Sequence, residues 1–228
     1  MAQQLILDLL PAPPPSLDNF VAARNEQALD ALRHCAPGRA IYLWGPHGVG
    51  RSHLLQGVCH QFNGCYHPSQ APASVLHDIA TSETIETPLV AVDDVQMLDS
   101  EGQAALFALY NRWRESASTR KAFALVLAGD CAPLNMKVRE DLRTRLGWDL
   151  VFRLEQLSDD ERAQALHSRA AERGLELAPE VVAWLLTRHE RDMSRLSALV
   201  DALDLYSLAR HRPITLPLLK DLLASDRP

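Results

Sequence analysis

Long apolar runs are missing from this chain. Although 47% of its 228 residues are apolar, none of its runs approaches the ~18 to 20 residues needed to cross a bilayer. The N-terminus also lacks the basic, then apolar, then small-residue layout of a signal peptide. The expected location is therefore cytoplasmic, with no membrane partner. Cysteine is sparse: Cys35, Cys59, Cys65 and Cys131 form no CxxC pair, which argues against a disulfide framework and leaves reduced, buried thiols. His53, Cys59, His60 and Cys65 lie close in sequence but repeat no zinc spacing, so no zinc centre is expected. A surplus of positive charge is missing too. A net charge of −6 works against the basic surface needed to neutralise several phosphates of a duplex, and direct sequence-specific DNA binding is not expected.

What is present is apolar content sufficient for a core, arranged in alternating patterns. Residues 1 to 15 read as an extended tail, because ProAlaProProPro (11 to 15) cannot donate the hydrogen bonds of a helix or central strand. Strands are expected at 39 to 44, 64 to 67, 89 to 93, 123 to 128 and 150 to 154, with helices at 52 to 62, 73 to 80 and 100 to 116 between them. Such alternation predicts an α/β domain, a parallel sheet covered by helices, over residues 16 to 157. After Leu157 the pattern changes. SerAspAspGlu (158 to 161) is an N-cap followed by acids and opens a helix that Gly174 ends; helices at about 179 to 189, 193 to 210 and 215 to 224 follow without a strand. Residues 158 to 228 are thus expected to form a small, separate all-α domain.

The chemistry concentrates in Gly45, Pro46, His47, Gly48, Val49, Gly50, Arg51 and Ser52. This stretch has the G-x-x-x-x-G-K-[ST] spacing of a phosphate-binding loop with Arg51 in place of lysine, and His53 follows it. The glycines let backbone amides turn inward as an anion nest, and the helix that follows aims its positive end at the same point. Ser52 would offer its hydroxyl to magnesium. LeuValAlaValAspAsp (89 to 94) supplies acids at a strand's carboxyl end: Asp93 for the magnesium shell, Asp94 to polarise an attacking water. The planar fork of Arg51 cannot place a compact ammonium between phosphate oxygens, so nucleotide binding with weak or no intrinsic hydrolysis is expected.

These residues resemble the DnaA-like family of AAA+ ATPases, and within it the regulators that inactivate the replication initiator DnaA. The resemblance spans nearly the whole chain and implies a three-layer αβα P-loop domain followed by a helical lid. Residues 18 to 28 are similar to the family's N-terminal box beside the adenine, with Asn19, Phe20, Val21 and Asn25 matching; taken alone, they read as the start of an amphipathic helix. AlaGlyAsp (128 to 130) stands where the family carries its first sensor, which makes Asp130 a candidate beside the γ-phosphate, or else a surface turn acid. AspLeuArgThrArgLeuGlyTrpAspLeu (141 to 150) is similar to the segment that holds the arginine finger, with Arg145 at the finger's position and Arg143 as the fallback. The lid departs from the pattern: Ser194 stands where a second sensor arginine is expected, with Arg195 one residue, or ~100° of helix, further on.

GlnLeuIleLeuAspLeu (4 to 9) fits the Q-L-x-L-x-L peptide that docks on the β subunit of the DNA polymerase III sliding clamp. An extended chain puts Leu5, Leu7 and Leu9 on one side while Gln4 can hydrogen-bond a pocket rim; without the family behind it, the stretch reads as a first strand or a terminus. The family's initiators continue past the lid into a helix-turn-helix module that is not expected here, and residues 64 to 88 have no lysine or arginine to grip single-stranded DNA. The resemblance therefore implies a clamp-docked negative regulator of replication initiation that binds ADP (or ATP) with magnesium, presents Arg145 in trans to ATP on DnaA, and could self-associate. A stand-alone ATPase such as a helicase loader and a non-catalytic clamp-bound adaptor are the alternatives.

Overall fold

The computed structural model describes residues 14–82, 87–188 and 193–224. Gln4, Leu5, Leu7 and Leu9 of the expected clamp-docking peptide lie outside them. The described residues fall into two compact units, Pro15–Gln156 and the segment from Leu157 onward.

In the first unit, the strands are β1 (Ala40–Trp44), β2 (Cys65–His67), β3 (Leu89–Val92), β4 (Ala124–Gly129) and β5 (Leu150–Arg153). They form one sheet in the order β2-β3-β4-β1-β5, and every pairing is parallel. Between them run α1 (Glu26–Arg33), α2 (Arg51–Phe62), α3 (Ala73–Thr81), α4 (Ser100–Ser116) and α5 (Glu140–Arg145). The expected α/β architecture is present, and the strands expected from residue patterns lie within a residue or so of the observed ones. Helix α1 continues from the helix start read at residues 18 to 28, whereas α5 is not among the expected elements, since it is short and takes its stability from packing rather than from its own length.

Strands β1, β3 and β4 are buried along almost their full length because both faces of the sheet are covered. Alternate residues feed two cores. Ile41, Leu43, Ala91 and Val126 pack with Leu29 and Leu32 of α1 and Leu54, Leu55 and Val58 of α2. Tyr42, Val90, Val92, Leu125 and Leu127 pack with Leu76 of α3 and Leu106, Leu109, Tyr110 and Trp113 of α4.

The segment from Leu157 contains α6 (Asp159–Glu172), α7 (Pro179–Arg188), α8 (Met193–Arg210) and α9 (Leu216–Ala224). The N-cap read from the sequence is a full capping box: the Ser158 hydroxyl accepts from the Glu161 amide, and the Glu161 carboxylate accepts from the Ser158 amide. These helices share a core of their own built on Leu166, Leu185, Val200, Leu203 and Leu218. Asp201, buried, is paired with Arg169 at 3.3 Å and Arg173 at 2.9 Å. Among the described residues no helix is long and apolar enough to cross a membrane.

A clasp at the start of β1 holds the sheet's far side. The Asp149 carboxylate accepts from Arg39 Nε at 2.8 Å, from Arg39 Nη2 at 2.7 Å and from the Ala40 amide at 2.9 Å, just before β5 begins. Partial burial alone would raise the Asp149 carboxyl, but the bonds from Arg39 and Ala40 outweigh it and hold the carboxyl below its ordinary value. A group with a depressed folded pKa contributes stability above its unfolded pKa and loses it as pH falls through the folded one. Asp149→Asn should thus lower stability by about 1–2 kcal/mol at pH 7. In urea melts over a pH series, the gap between wild type and variant should close below roughly pH 4.

Candidate nucleotide site

Strand β1 ends at Trp44, and the loop from Gly45 to Gly50 delivers the chain into α2 at Arg51. Gly48 and Gly50 have φ of +77° and +94°, a region that costs glycine little. Gly50 has a second reason to lack a side chain, since a Cβ there would come within 2.6 Å of the Phe20 ring. At Gly45 a Cβ would stand 2.7 Å from the Leu154 carbonyl oxygen. Val49 is buried and anchors the loop, while Pro46, His47 and Gly48 are exposed. The first helical bond runs from the Leu54 amide to the Gly50 carbonyl at 3.0 Å, so Arg51, Ser52 and His53 make up the first turn of α2, at the positive end of its dipole. The left-handed glycines leading straight into a helix N-terminus are the backbone geometry that the loop spacing predicts.

Arg51 turns back on the loop. Its Nη1 donates to the Gly45 carbonyl at 2.9 Å, and its Nη2 pairs with Asp94 at 3.0 Å. Its side chain is only 10% exposed, so solvent screens the pair weakly. The same Asp94 oxygen also accepts from Gln96 Nε2 at 2.9 Å. Asp94 has φ +43° and ψ +53°, a left-handed conformation uncommon outside glycine and often found at functional sites. The residue expected to polarise water is therefore held by a guanidinium and an amide.

Asp93 is 2% exposed. One carboxylate oxygen accepts from the Asp94 amide and the other from the Tyr66 hydroxyl, each at 2.8 Å. Burial pushes the Tyr66 phenol up to about 12; Gln56 pulls it down, Asp93 adds to the rise, and Ser52 lowers it slightly. Tyr66 therefore remains a proton donor near neutral pH. It sits between Ser52 and Asp93, the two groups expected to share magnesium. Their hard oxygens suit a magnesium ion that keeps several waters, and such an ion would compete with the Tyr66 hydroxyl for Asp93. Nothing in the local sequence marks Tyr66: the β2–β3 register, with Tyr66 opposite Ala91 and His67 opposite Val92, brings it beside the acid.

Gln96 also escapes sequence reasoning. Its Oε1 accepts from the Asp130 amide at 3.2 Å, linking the acid turn to the end of β4. Asp130 itself is exposed. The N-terminal box supports the loop from outside. Ser16 and Asn19 bond reciprocally at 2.9 and 3.1 Å, the Phe20 ring lies 5.7 Å from the His53 ring, and His53 Nε2 is 3.0 Å from the Ser16 carbonyl. Val21 is half-buried beside them in sequence. Asn25, buried, exchanges two hydrogen bonds with the backbone of Glu155.

Arg145, the last residue of α5, is half-buried. Its guanidinium carbon lies 4.0 Å from the Phe107 ring centroid and 4.8 Å from that of Trp148. Nη1 donates to the Asp141 carbonyl at 2.7 Å and Nη2 to Asn111 Oδ1 at 3.3 Å, while the buried Nε has no partner. Arg143 is also half-buried. In the second unit, Arg195 is exposed on α8.

Residues 159–223 match the family model described as the Hda lid domain. Domain III of the Thermotoga maritima replication initiation protein DnaA aligns over 96% of this chain and 100% of its own, with a TM-score of 0.68 and 23% identity. The chain shares the fold of this DnaA domain, and its residues 159–223 match the Hda lid. AMPPCP-bound DnaA from Aquifex aeolicus aligns over 89% of this chain and 68% of its own, with a TM-score of 0.63 and 22% identity. A Thermotoga maritima RuvB mutant aligns over 92% and 72%, with a TM-score of 0.64 and 16% identity. At these identities the solved structures establish the shared fold, and the family match covers the lid segment, residues 159–223.

The Arg51–Asp94 pair is a measurable link between loop and acid. A double-mutant cycle with Arg51→Ala and Asp94→Ala, read by urea denaturation, should give a coupling energy of about 1–3 kcal/mol that 1 M salt reduces only in part.

Proposed function

We propose that this protein is a negative regulator of replication initiation. It holds ADP in its own loop, docks on the β subunit of the polymerase III sliding clamp through Gln4, Leu5, Leu7 and Leu9, and supplies Arg145 to ATP bound by DnaA. The observation that carries the reading is the Arg145 guanidinium: a cation stacked between Phe107 and Trp148, with no carboxylate paired to it among the described residues. A structural arginine at that degree of burial would ordinarily be matched by an acid. The lid match to Hda and the likeness to DnaA structures support the same direction.

The chain's own nucleotide would rest on the nest amides from Gly45 to Ser52 and the positive end of α2, with Phe20 and Asn19 behind the loop and Asp130 and Arg195 as sensor candidates. Magnesium, when bound with nucleotide near Ser52 and Asp93, neutralises phosphate charge. Hydrolysis in this site is disfavoured while Asp94 is tied to Arg51, because the oxygen that would orient a water is already occupied by the guanidinium and the Gln96 amide. In trans, Arg145 would place its guanidinium on the charge that develops as the γ-phosphoryl group of the partner's ATP is transferred.

The test follows ATP prebound to DnaA in the presence of clamp loaded on DNA. Wild-type protein should accelerate its hydrolysis, and Arg145→Ala should remove roughly 10³-fold of that acceleration. Deletion of residues 3 to 9 should abolish the dependence on clamp while leaving nucleotide binding intact. No acceleration by the wild type, or full acceleration by Arg145→Ala, would overturn the reading. Rapid turnover by the chain alone would favour a stand-alone ATPase instead.

A further inference from the structure

Trp148 carries two guanidiniums. The Arg114 guanidinium carbon lies 4.8 Å from the centroid of the indole, the same distance as that of Arg145. Two carbons so placed cannot stand further apart than twice that distance, which lies within the ~10 Å Debye length of 0.1 M salt. Like charges this close repel, and the usual relief is an acid between them. Neither arginine has one: among the described residues, no carboxylate pairs with Arg114 or Arg145. The neighbouring Arg139, which lies 5.5 Å from the Phe107 ring, is by contrast paired with Asp141 at 2.7 Å.

The ring beneath the two cations is fixed in place. Tyr110 meets it edge-on, with centroids 6.3 Å apart and planes at 81°. The Trp148 amide donates to the Arg145 carbonyl at 3.0 Å, so the indole and the end of α5 are tied together. Yet 42% of Trp148 is exposed, and Arg114 faces solvent from α4. A large aromatic left open, carrying two unneutralised guanidiniums, with the Nε of one of them buried and unbonded, is incomplete as a self-contained surface. It is complete once a polyanion lies across it, because each guanidinium keeps donors free and cation–π stacking holds both planes at little cost in side-chain entropy.

We infer that Arg114 and Arg145, mounted on Trp148, form a two-arginine site for the triphosphate of a nucleotide held by the partner AAA+ protein, with Arg114 as a second phosphate-contacting residue and Trp148 as the residue that positions both. This inference rests on the proposed action in trans, and it adds a group that the finger motif does not contain. Arg145 would address the γ-phosphoryl group, while Arg114, on a different helix, would bind the phosphates that remain with the nucleotide.

Two measurements test it. In the assay of ATP prebound to DnaA, Arg114→Ala should lower the rate at saturating protein about tenfold. The concentration giving half-maximal acceleration should shift by less than about twofold, and Arg114→Lys should recover part of the rate. Trp148→Phe, which keeps an aromatic face, should retain most of the rate, and Trp148→Leu should lose as much as Arg114→Ala. An unchanged saturating rate for Arg114→Ala, or an effect confined to the half-maximal concentration, would overturn the assignment. The second measurement needs no DnaA: inorganic tripolyphosphate is titrated by calorimetry into protein whose own loop is saturated with ADP. Binding should weaken at least fivefold in both Arg114→Ala and Arg145→Ala. No binding by wild type, or equal affinity in the variants, would overturn the site. Tripolyphosphate binding that depends on both arginines, without any acceleration of DnaA-bound ATP hydrolysis, would keep the anion site and reject the action in trans.

Discussion

The position of β1 governs the geometry of the nucleotide site. It pairs with β4 on one side and β5 on the other, and every residue from Ala40 to Leu43 is buried. A strand so enclosed can end only by delivering its chain to the carboxyl edge of the sheet, where parallel α/β folds hold their ligands. The loop from Gly45 to Gly50 emerges there, one strand removed from the acids that follow β3. Arg51 spans that gap to Asp94, and Gln96 links Asp94 to the backbone at the end of β4. Without the central placement of β1, the glycine loop, the acids after β3 and the turn after β4 would be three unconnected loops.

Charge at this site is balanced internally. Arg51 is opposed by Asp94, and both oxygens of Asp93 accept protein donors. Around Trp148, in the same unit, the balance is left open: among the described residues Arg114 and Arg145 share a ring without an acid paired to either. A loop whose acid is already satisfied and a surface that leaves two cations unanswered fit the proposed action on a partner's nucleotide better than the alternative of rapid turnover in cis. The physical reason is the same in both places, since a charged group is available for chemistry only to the extent that its neighbours have not already neutralised it.

Much of the fold was legible in the residues themselves. The apolar strand cores at 89 to 92 and 124 to 129, the glycine spacing of the loop and the SerAspAspGlu cap are local signals, and local physics suffices to read them. Helix α5 was not legible as an element, because six residues carry too few apolar positions to show a period. Tyr66 was invisible for a different reason: its role depends on which residue of β2 stands beside Asp93, and register is settled by pairing across 27 residues of chain.

The amino-acid order by itself therefore determined the α/β class, the glycine loop at Gly45 to Gly50, the acids at Asp93 and Asp94 and the arginine at 145, since each is a matter of residue type at a fixed short spacing. Only the tertiary structure decided what those groups do to one another. Arg51 is tied to Asp94, Tyr66 to Asp93, and Arg145 shares the Trp148 indole with Arg114. These pairings join residues up to 43 positions apart, and electrostatic and stacking energies depend on distance in space, which sequence separation leaves open until the sheet and its helices have packed.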